Sequence, residues 1–339
     1  MLNTENCPGE MPQVAVIVLN WNAWAVTEKA LDSINCLRYP NYEVILVDNG
    51  SSCPQPADFK YKFPNLIFVQ TGANLGYTGG NNVGIKIALQ RHASYVLILN
   101  NDVLVRDPDL LSKLVSASHK TPSAGIFAPQ VVQYNRDGMR IRDRYHGRAQ
   151  TLLSLLKGTN KSSNVSSHEG TRENVMSVTD RSQHTQCLDN DVAAVTQVCG
   201  CAMLISRTFL ERVGFFDERL FMYDDEYDLC LRGMDAGFQI QQVNSTSVSR
   251  LNVCSQHDMP SYRTYLYGRN RFLLAKKRTR SLHSAVFLCL HLISSSKLAI
   301  TLLRYGSWHE LTSLVSGVRD GILSRWGMTP FLCTLLKQQ

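Results

Sequence analysis

Tyr95-Val96-Leu97-Ile98-Leu99-Asn100-Asn101-Asp102 is the stretch on which the reading turns. An apolar run of five ends abruptly in two amides and a carboxylate. A short continuous run of this kind reads as a strand buried on both faces. A carboxylate at the carboxyl end of such a strand is aimed at the crevice in which open α/β sheets bind ligands. Ordinary turn chemistry also accounts for Asn and Asp here, so the triplet gains weight only from its company.

Working outward, residues 14–19, 44–47 and 66–69 are similar short apolar runs. Stretches 27–37, 82–91 and 108–119, the last opening on Pro108, have the length and composition of helices. This alternation predicts an α/β fold, a mostly parallel sheet with helices on both faces. Residues 136–191 are rich in Ser, Thr, Asn, Arg and His and read as an irregular insertion. Order resumes with a strand at 202–205, a segment at 209–213, an acidic helix start at Asp224 ending near Gly237, and a strand at 240–243.

With 339 residues, 44% of them hydrophobic, the chain is long enough for one large or two unequal domains. The formal net charge of +7 is uneven. Residues 269–339 carry 11 Lys and Arg against 2 acids, which leaves 24 against 26 for the rest. A near-neutral body with a basic tail argues against a nucleic-acid binder and for one local anionic partner, such as membrane phosphate. The ten cysteines contain no CxxC pair and read as reduced, packed thiols rather than zinc ligands. The polar opening 1–13 lacks an apolar secretory core, so the expected location is the cytoplasm.

Three strand ends finish in polar residues: Asn20-Trp21-Asn22, Asp48-Asn49-Gly50-Ser51-Ser52 and Asn100-Asn101-Asp102. In a parallel sheet all three meet at one edge, which separate turns explain less readily than a shared ligand. Between them Asn74-Leu75-Gly76-Tyr77-Thr78-Gly79-Gly80-Asn81-Asn82 leads into a helix. Its glycines permit close backbone approach, and a helix start offers unpaired N–H groups to phosphate. The second half supplies Asp224-Asp225-Glu226-Tyr227-Asp228, whose crowded acids raise the proton affinity of at least one. Asp224 or Asp225 suits a helix cap and Asp228 suits an ion pair with Arg232. Glu226 is left without a structural duty and is the candidate general base. His257 and Arg269 are second-rank candidates, for a metal and a diphosphate respectively, each with a purely structural alternative.

Taken together, Val16-Ile-Val-Leu-Asn-Trp-Asn22, Val47-Asp-Asn-Gly-Ser-Ser52, the 74–82 segment, Leu99-Asn-Asn-Asp102, Cys199-Gly-Cys-Ala-Met-Leu-Ile205 and the 214–232 block resemble the inverting glycosyltransferases of family two, in particular its rhamnosyltransferase-like branch. The resemblance spans roughly residues 13–275, with its segments in order. It implies the GT-A fold, a Rossmann-like sheet over residues 1–268, followed by a basic amphipathic helical tail at 269–339. It further implies that Asn20, Asn22, Asp48, Asn49, Asn74, Gly79, Gly80, Asn81, Asn100, Asn101 and Arg269 bind a nucleoside-diphosphate sugar. Asp102, with His257, would hold Mg²⁺ or Mn²⁺ on the diphosphate.

The family register places the base at Glu226, preceded by Asp225 as the reserve. Glu is a departure, since the family usually has Asp there. His257 also stands closer to Arg269 than the family pattern has it. The implied reaction is one inverting displacement that moves a sugar, rhamnose being the named candidate, to a hydroxyl of a glycan or lipid-linked glycan. A non-catalytic nucleotide-sugar-binding or assembly protein is the alternative. A sugar nucleotidyltransferase ranks lower, because Asn20-Trp21-Asn22 is not a glycine-rich triphosphate loop. Residues 285–303 are strongly apolar but interrupted by His291 and Lys297, a poor membrane span. Flanked by Lys276, Lys277, Arg278 and Arg280, they fit peripheral contact at the inner membrane face, or a helix packed on the catalytic domain.

Overall fold

A computed structural model describes residues 11–134, 140–142, 191–251, 260–277 and 282–337. Apart from Arg140–Arg142 and Asp191, the 136–191 insertion lies outside the described residues, as do His257, Arg278 and Arg280.

Among the described residues, ten strands form a single sheet. They are β1 (Val14–Asn20), β2 (Tyr42–Asp48), β3 (Ile67–Gln70), β4 (Tyr95–Asn100), β5 (Val103–Val105), β6 (Ala124–Tyr134), β7 (Arg140–Arg142), β8 (Val192–Val195), β9 (Ala202–Ser206) and β10 (Gln239–Arg250). The main path runs β3-β2-β1-β4-β9-β6-β10-β5. The first four strands are parallel neighbours. β9 lies antiparallel between β4 and β6, which restores the original direction in β6 and its parallel neighbour β10. The mostly parallel sheet expected from the alternation is thus present, and the strand expected at 202–205 is β9, whose antiparallel place in it local pattern does not announce.

The helices are α1 (Trp24–Ile34), α2 (Phe59–Lys62), α3 (Gly76–Gln90), α4 (Leu110–Lys120), α5 (Arg207–Val213), α6 (Asp225–Asp235), α7 (Ser261–Lys277), α8 (Leu282–Arg304), α9 (Trp308–Ile322) and α10 (Pro330–Lys337). Side chains alternate across a strand, and the continuous runs feed both faces. Val14, Val16 and Val18 of β1, with Leu97 and Leu99 of β4, pack against Trp24, Leu31, Leu110 and Leu114 from α1 and α4. Ala15 and Ile17, with Val96 and Ile98, pack on the opposite face against Ile85 of α3, Phe209 of α5 and Leu229 of α6. All five residues from Val14 to Val18 are fully buried, each worth about 1.5–3 kcal/mol relative to exposure for the larger side chains.

Three sequence expectations are corrected. The helix expected at 82–91 begins at Gly76, so the glycine-rich segment is its first turns rather than a loop before it. The strand expected at 240–243 continues to Arg250, carried by pairing with β6 and β5 after a register shift near Val243. The division at 268/269 falls inside α7, whose Tyr265 and Gly268 pack closely on Gly317 and Leu314 of α9. The C-terminal helices therefore pack on α7, which itself meets α6 through Leu274 and Ala275 against Tyr227 and Leu231. Of the seven described cysteines, all free, Cys201 and Cys230 are buried but Cys36, Cys53 and Cys289 are exposed, so the packed-thiol reading holds only in part.

Candidate active site

Register brings the polar strand ends together. Asn20 stands opposite Asp48 in the β1–β2 ladder, and Leu19 opposite Asn100 in the β1–β4 ladder. Asn20 is fully buried. Its amide donates to Asp48 Oδ1 at 3.2 Å, and its Oδ1 accepts from Thr27 Oγ1 at 2.7 Å. Asn101 Nδ2 donates to the same Thr27 hydroxyl at 3.0 Å. One hydrogen-bonded chain thus runs from Asp48 through Asn20 and Thr27 to Asn101. Asn22 adopts the left-handed region (φ 52°) and accepts from the Ser52 and Cys53 amides, which ties the first two strand ends.

The glycine-rich segment is occupied with protein. Asn49 donates to Asn74 Oδ1 and Gly76 O and accepts from Leu75 N, so it fastens β2 to the start of α3. A Cβ at Gly80 would lie 2.5 Å from Leu19 Cδ1, and one at Gly79 would lie 2.7 Å from Leu75 Cβ. Asn81 is buried and donates to Tyr77 O. Gly76 has φ +74°, and a Cβ there would meet Phe221 O at 2.4 Å. Gly79, Gly80 and Asn81 therefore serve close helix packing, a correction to their reading as a phosphate cradle.

A cleft of about 340 Å³ opens beside these ends, within the size range of small-molecule sites. Its walls include Asn100, Asn101 and Asp102 from β4 and the turn after it. Asp225 and Glu226 from the start of α6, Arg250 from the end of β10, and Tyr77, Tyr223 and Tyr262 line it as well. The cleft thus joins Asp102 to Glu226. Asp48 stands behind it, linked through the Asn20 chain.

Glu226 is half-buried, and Gly200 leaves room for it, since a Cβ there would meet Glu226 Cβ at 3.2 Å. Burial, with Asp224's charge adding to it, pushes the Glu226 carboxyl up to about 7 against the opposing pull of its backbone N–H and Arg250. Asp225 is buried, its Oδ2 has no hydrogen-bond partner, and burial together with Glu226 raises its pKa well above the usual carboxylate range. Asp228 pairs with Arg232 at 2.8 Å, as its spacing implied, and also with Lys277. Asp224 sits at the helix N-cap position, but neither it nor Asp225 makes a side-chain cap.

Asp102 Oδ2 accepts from Arg250 Nε at 2.9 Å. Asp102 Oδ1 and Asn100 Oδ1 are buried acceptors with no hydrogen-bond partner. Two orphaned oxygens at a ligand cleft fit a hard divalent cation. Among the described residues no group of three His, Cys, Asp or Glu side chains is placed to hold an ion.

Arg269 is the clearest correction. It is fully buried in α7, and its guanidinium donates to Gly327 O (2.6 Å), Leu220 O (2.9 Å) and Asn270 Oδ1. Asn270 donates to the carbonyls of Leu220, Met222 and Tyr223. The pair clamps a turn in which Phe221, Tyr223 and Asp224 all have positive φ. Non-glycine residues there cost of order 1–3 kcal/mol each and persist only where the surroundings hold them. Arg269 shapes the approach to Glu226 and does not face the cleft. Sequence reading passed over Arg250, Tyr77, Tyr223 and Tyr262. The nearest signal was the charged residue following the alternating stretch 245–249 in β10.

A model of glycosyl transferase family 2 matches residues 15–213. The chain belongs to that family. This glycosyltransferase is 24% identical over 293 residues to the low-salt glycan biosynthesis hexosyltransferase Agl10 of Haloferax volcanii, covering 84% of each chain. It is 26% identical to an N-acetylglucosaminyl-diphospho-decaprenol L-rhamnosyltransferase of Mycobacterium tuberculosis, covering 69% of this chain and 74% of that one. A mannosyltransferase from Pyrobaculum calidifontis, solved with GDP-Man and Mn²⁺, superposes with a TM-score of 0.54 at 17% identity, over 94% of the glycosyltransferase and 89% of its relative. Staphylococcus aureus TarS with UDP-GlcNAc superposes with a TM-score of 0.51 at 13% identity, over 83% and 71%. These two likenesses establish the GT-A fold.

Proposed function

We propose that the enzyme transfers a sugar, with rhamnose the leading candidate, from a nucleoside-diphosphate donor to a hydroxyl of a glycan or lipid-linked glycan, with inversion. The observation that carries this reading is the shared cleft of Asp102 and Glu226. Asp102 and Asn100 would hold Mg²⁺ or Mn²⁺, which when bound offsets the charge of the departing nucleoside diphosphate. Glu226, with a proton affinity near neutrality, takes the proton of the acceptor hydroxyl as its oxygen attacks the anomeric carbon. A single displacement needs no protein nucleophile. The Asp48–Asn20–Thr27–Asn101 chain orients the donor edge and fixes the turn that presents Asp102.

Purified enzyme is expected to be stabilised by one of UDP, GDP or dTDP in the presence of Mn²⁺, read as a rise in Tm. Asp102→Ala is expected to remove that shift and the metal-dependent hydrolysis of the matching sugar nucleotide. Equal turnover in the variant would refute the reading.

The lipid-linked acceptor is supported by the C-terminal helices. In α8, the most apolar 18-residue window within Ser284–Arg304 has a mean hydropathy of 1.8, and only 17% of it is buried. One face packs inward through Phe287 and His291, the latter within 3.2 Å of Gly268 O. The outer face leaves Val286, Leu292, Ile293, Ile300 and Leu303 exposed, and Tyr305 and Trp308 continue it. Apolar surface that ends on Arg304, Tyr305 and Trp308, with the long Lys297 side chain exposed within it, suits a helix lying in the headgroup region at the inner, cytoplasmic membrane face. Wild-type protein is expected to co-sediment with anionic vesicles. Leu292→Asp with Ile293→Asp should weaken this about tenfold without altering turnover of a water-soluble acceptor. Unchanged sedimentation would remove the membrane role.

A further inference from the structure

The β10–β5 ladder places Arg250 opposite Val103, the residue after Asp102, and Leu251 N donates to Asp102 O at 2.8 Å. That register, rather than side-chain chance, sets the guanidinium on the carboxylate. The Arg250 and Asp102 side chains are 31% and 15% exposed, so both are open to the cleft. The described residues lining it include three acids, Asp102, Asp225 and Glu226, and one base, Arg250. A nucleoside diphosphate carries several negative charges, and like charges in a partly desolvated cleft repel strongly. The donor therefore needs cationic partners. Arginine's planar fork is suited to phosphate oxygens, and unlike histidine it cannot ligate a metal.

Resting on the nucleotide-sugar reading above, we propose that Arg250 is the second cation of the donor site. In the free enzyme it holds Asp102 and competes with a bare divalent ion for that carboxylate. When donor and metal arrive together, the ion takes Asp102 and the guanidinium turns to the phosphate oxygens. Metal affinity is low without nucleotide and rises with it. Two cations then flank the leaving group instead of one.

The test measures two constants on full-length enzyme. Mn²⁺ binding to protein alone, followed by the EPR signal of the free aquo ion, should tighten at least threefold in Arg250→Gln, because the competitor is gone. Binding of the nucleoside diphosphate that stabilises wild type, titrated calorimetrically at saturating Mn²⁺, should weaken at least tenfold. Arg250→Lys keeps the charge but not the fork, and should compete for Mn²⁺ as wild type does while binding the diphosphate less tightly. This variant also serves if the glutamine variant fails to fold. Either constant unchanged in Arg250→Gln, or wild-type diphosphate binding in Arg250→Lys, overturns the proposal. Wild type that binds none of UDP, GDP or dTDP with Mn²⁺ overturns the donor reading itself, a separate result.

Discussion

Glu226→Gln is expected to lower sugar transfer by about a thousandfold, within the range a positioned general base supplies, while leaving donor binding within a fewfold of wild type. The amide matches the carboxylate in shape but accepts no proton. Wild-type kcat is expected to rise with pH through a midpoint near 7, the value to which burial pushes this carboxyl, and the variant should lack that rise. Stability moves the other way. An acid whose folded pKa lies above its unfolded value binds more protons when folded, so its contribution falls as pH climbs from the unfolded value of 4.5 to about 7 and is flat beyond. Glu226→Gln should therefore melt higher than wild type at pH 8 and close to it at pH 4. A fully active Glu226→Gln enzyme would remove the base assignment. In that case Asp225→Asn, tested for the same loss, would decide the reserve.

Arg269→Ala should cost on the order of 3 kcal/mol in stability, combining a cavity with the loss of hydrogen bonds to buried carbonyls. The Arg219 and Leu220 carbonyls keep other donors in Gly327 N and Asn270, whereas no other donor to Gly327 O is apparent among the described residues. The positive-φ turn at Phe221, Tyr223 and Asp224 then loses part of its clamp, and kcat should fall with little change in donor affinity. Arg269→Lys should not rescue it, because one ammonium cannot span carbonyls from residues 220 and 327 at once. Urea unfolding and a kcat against donor-Kd comparison check this. Loss of donor binding alone, with stability intact, would restore the earlier reading of Arg269 as a diphosphate ligand.

The clamp links two parts of the molecule that composition treats as separate. Arg269 and Asn270 lie on the helix against which α9 packs, and Gly327 lies between α9 and α10. The helices that carry the exposed apolar face are thereby tied to the turn that leads into Glu226. A boundary drawn where charge changes sign is a statement about solvation. It says nothing about which backbone carbonyls a buried guanidinium satisfies.

The amino-acid sequence by itself determined the elements whose cause is local. Runs such as Val14–Asn20 and Tyr95–Asn100 declare strands buried on both faces, because each alternate side chain needs an apolar wall. The polar residues that end them declare a sheet edge given to a ligand. Asp228 and Arg232 declare their ion pair by helical spacing. Only the tertiary structure decided what depends on partners distant in the chain. Arg250 meets Asp102 across 148 positions through strand register, and Gly80 faces Leu19 because α3 presses on β1. The proton affinity of Glu226 comes from the walls that bury it, which no stretch of neighbouring residues contains. Local pattern is fixed by nearest neighbours along the backbone, whereas charge, pairing and desolvation are fixed by whatever the fold brings within a few ångströms.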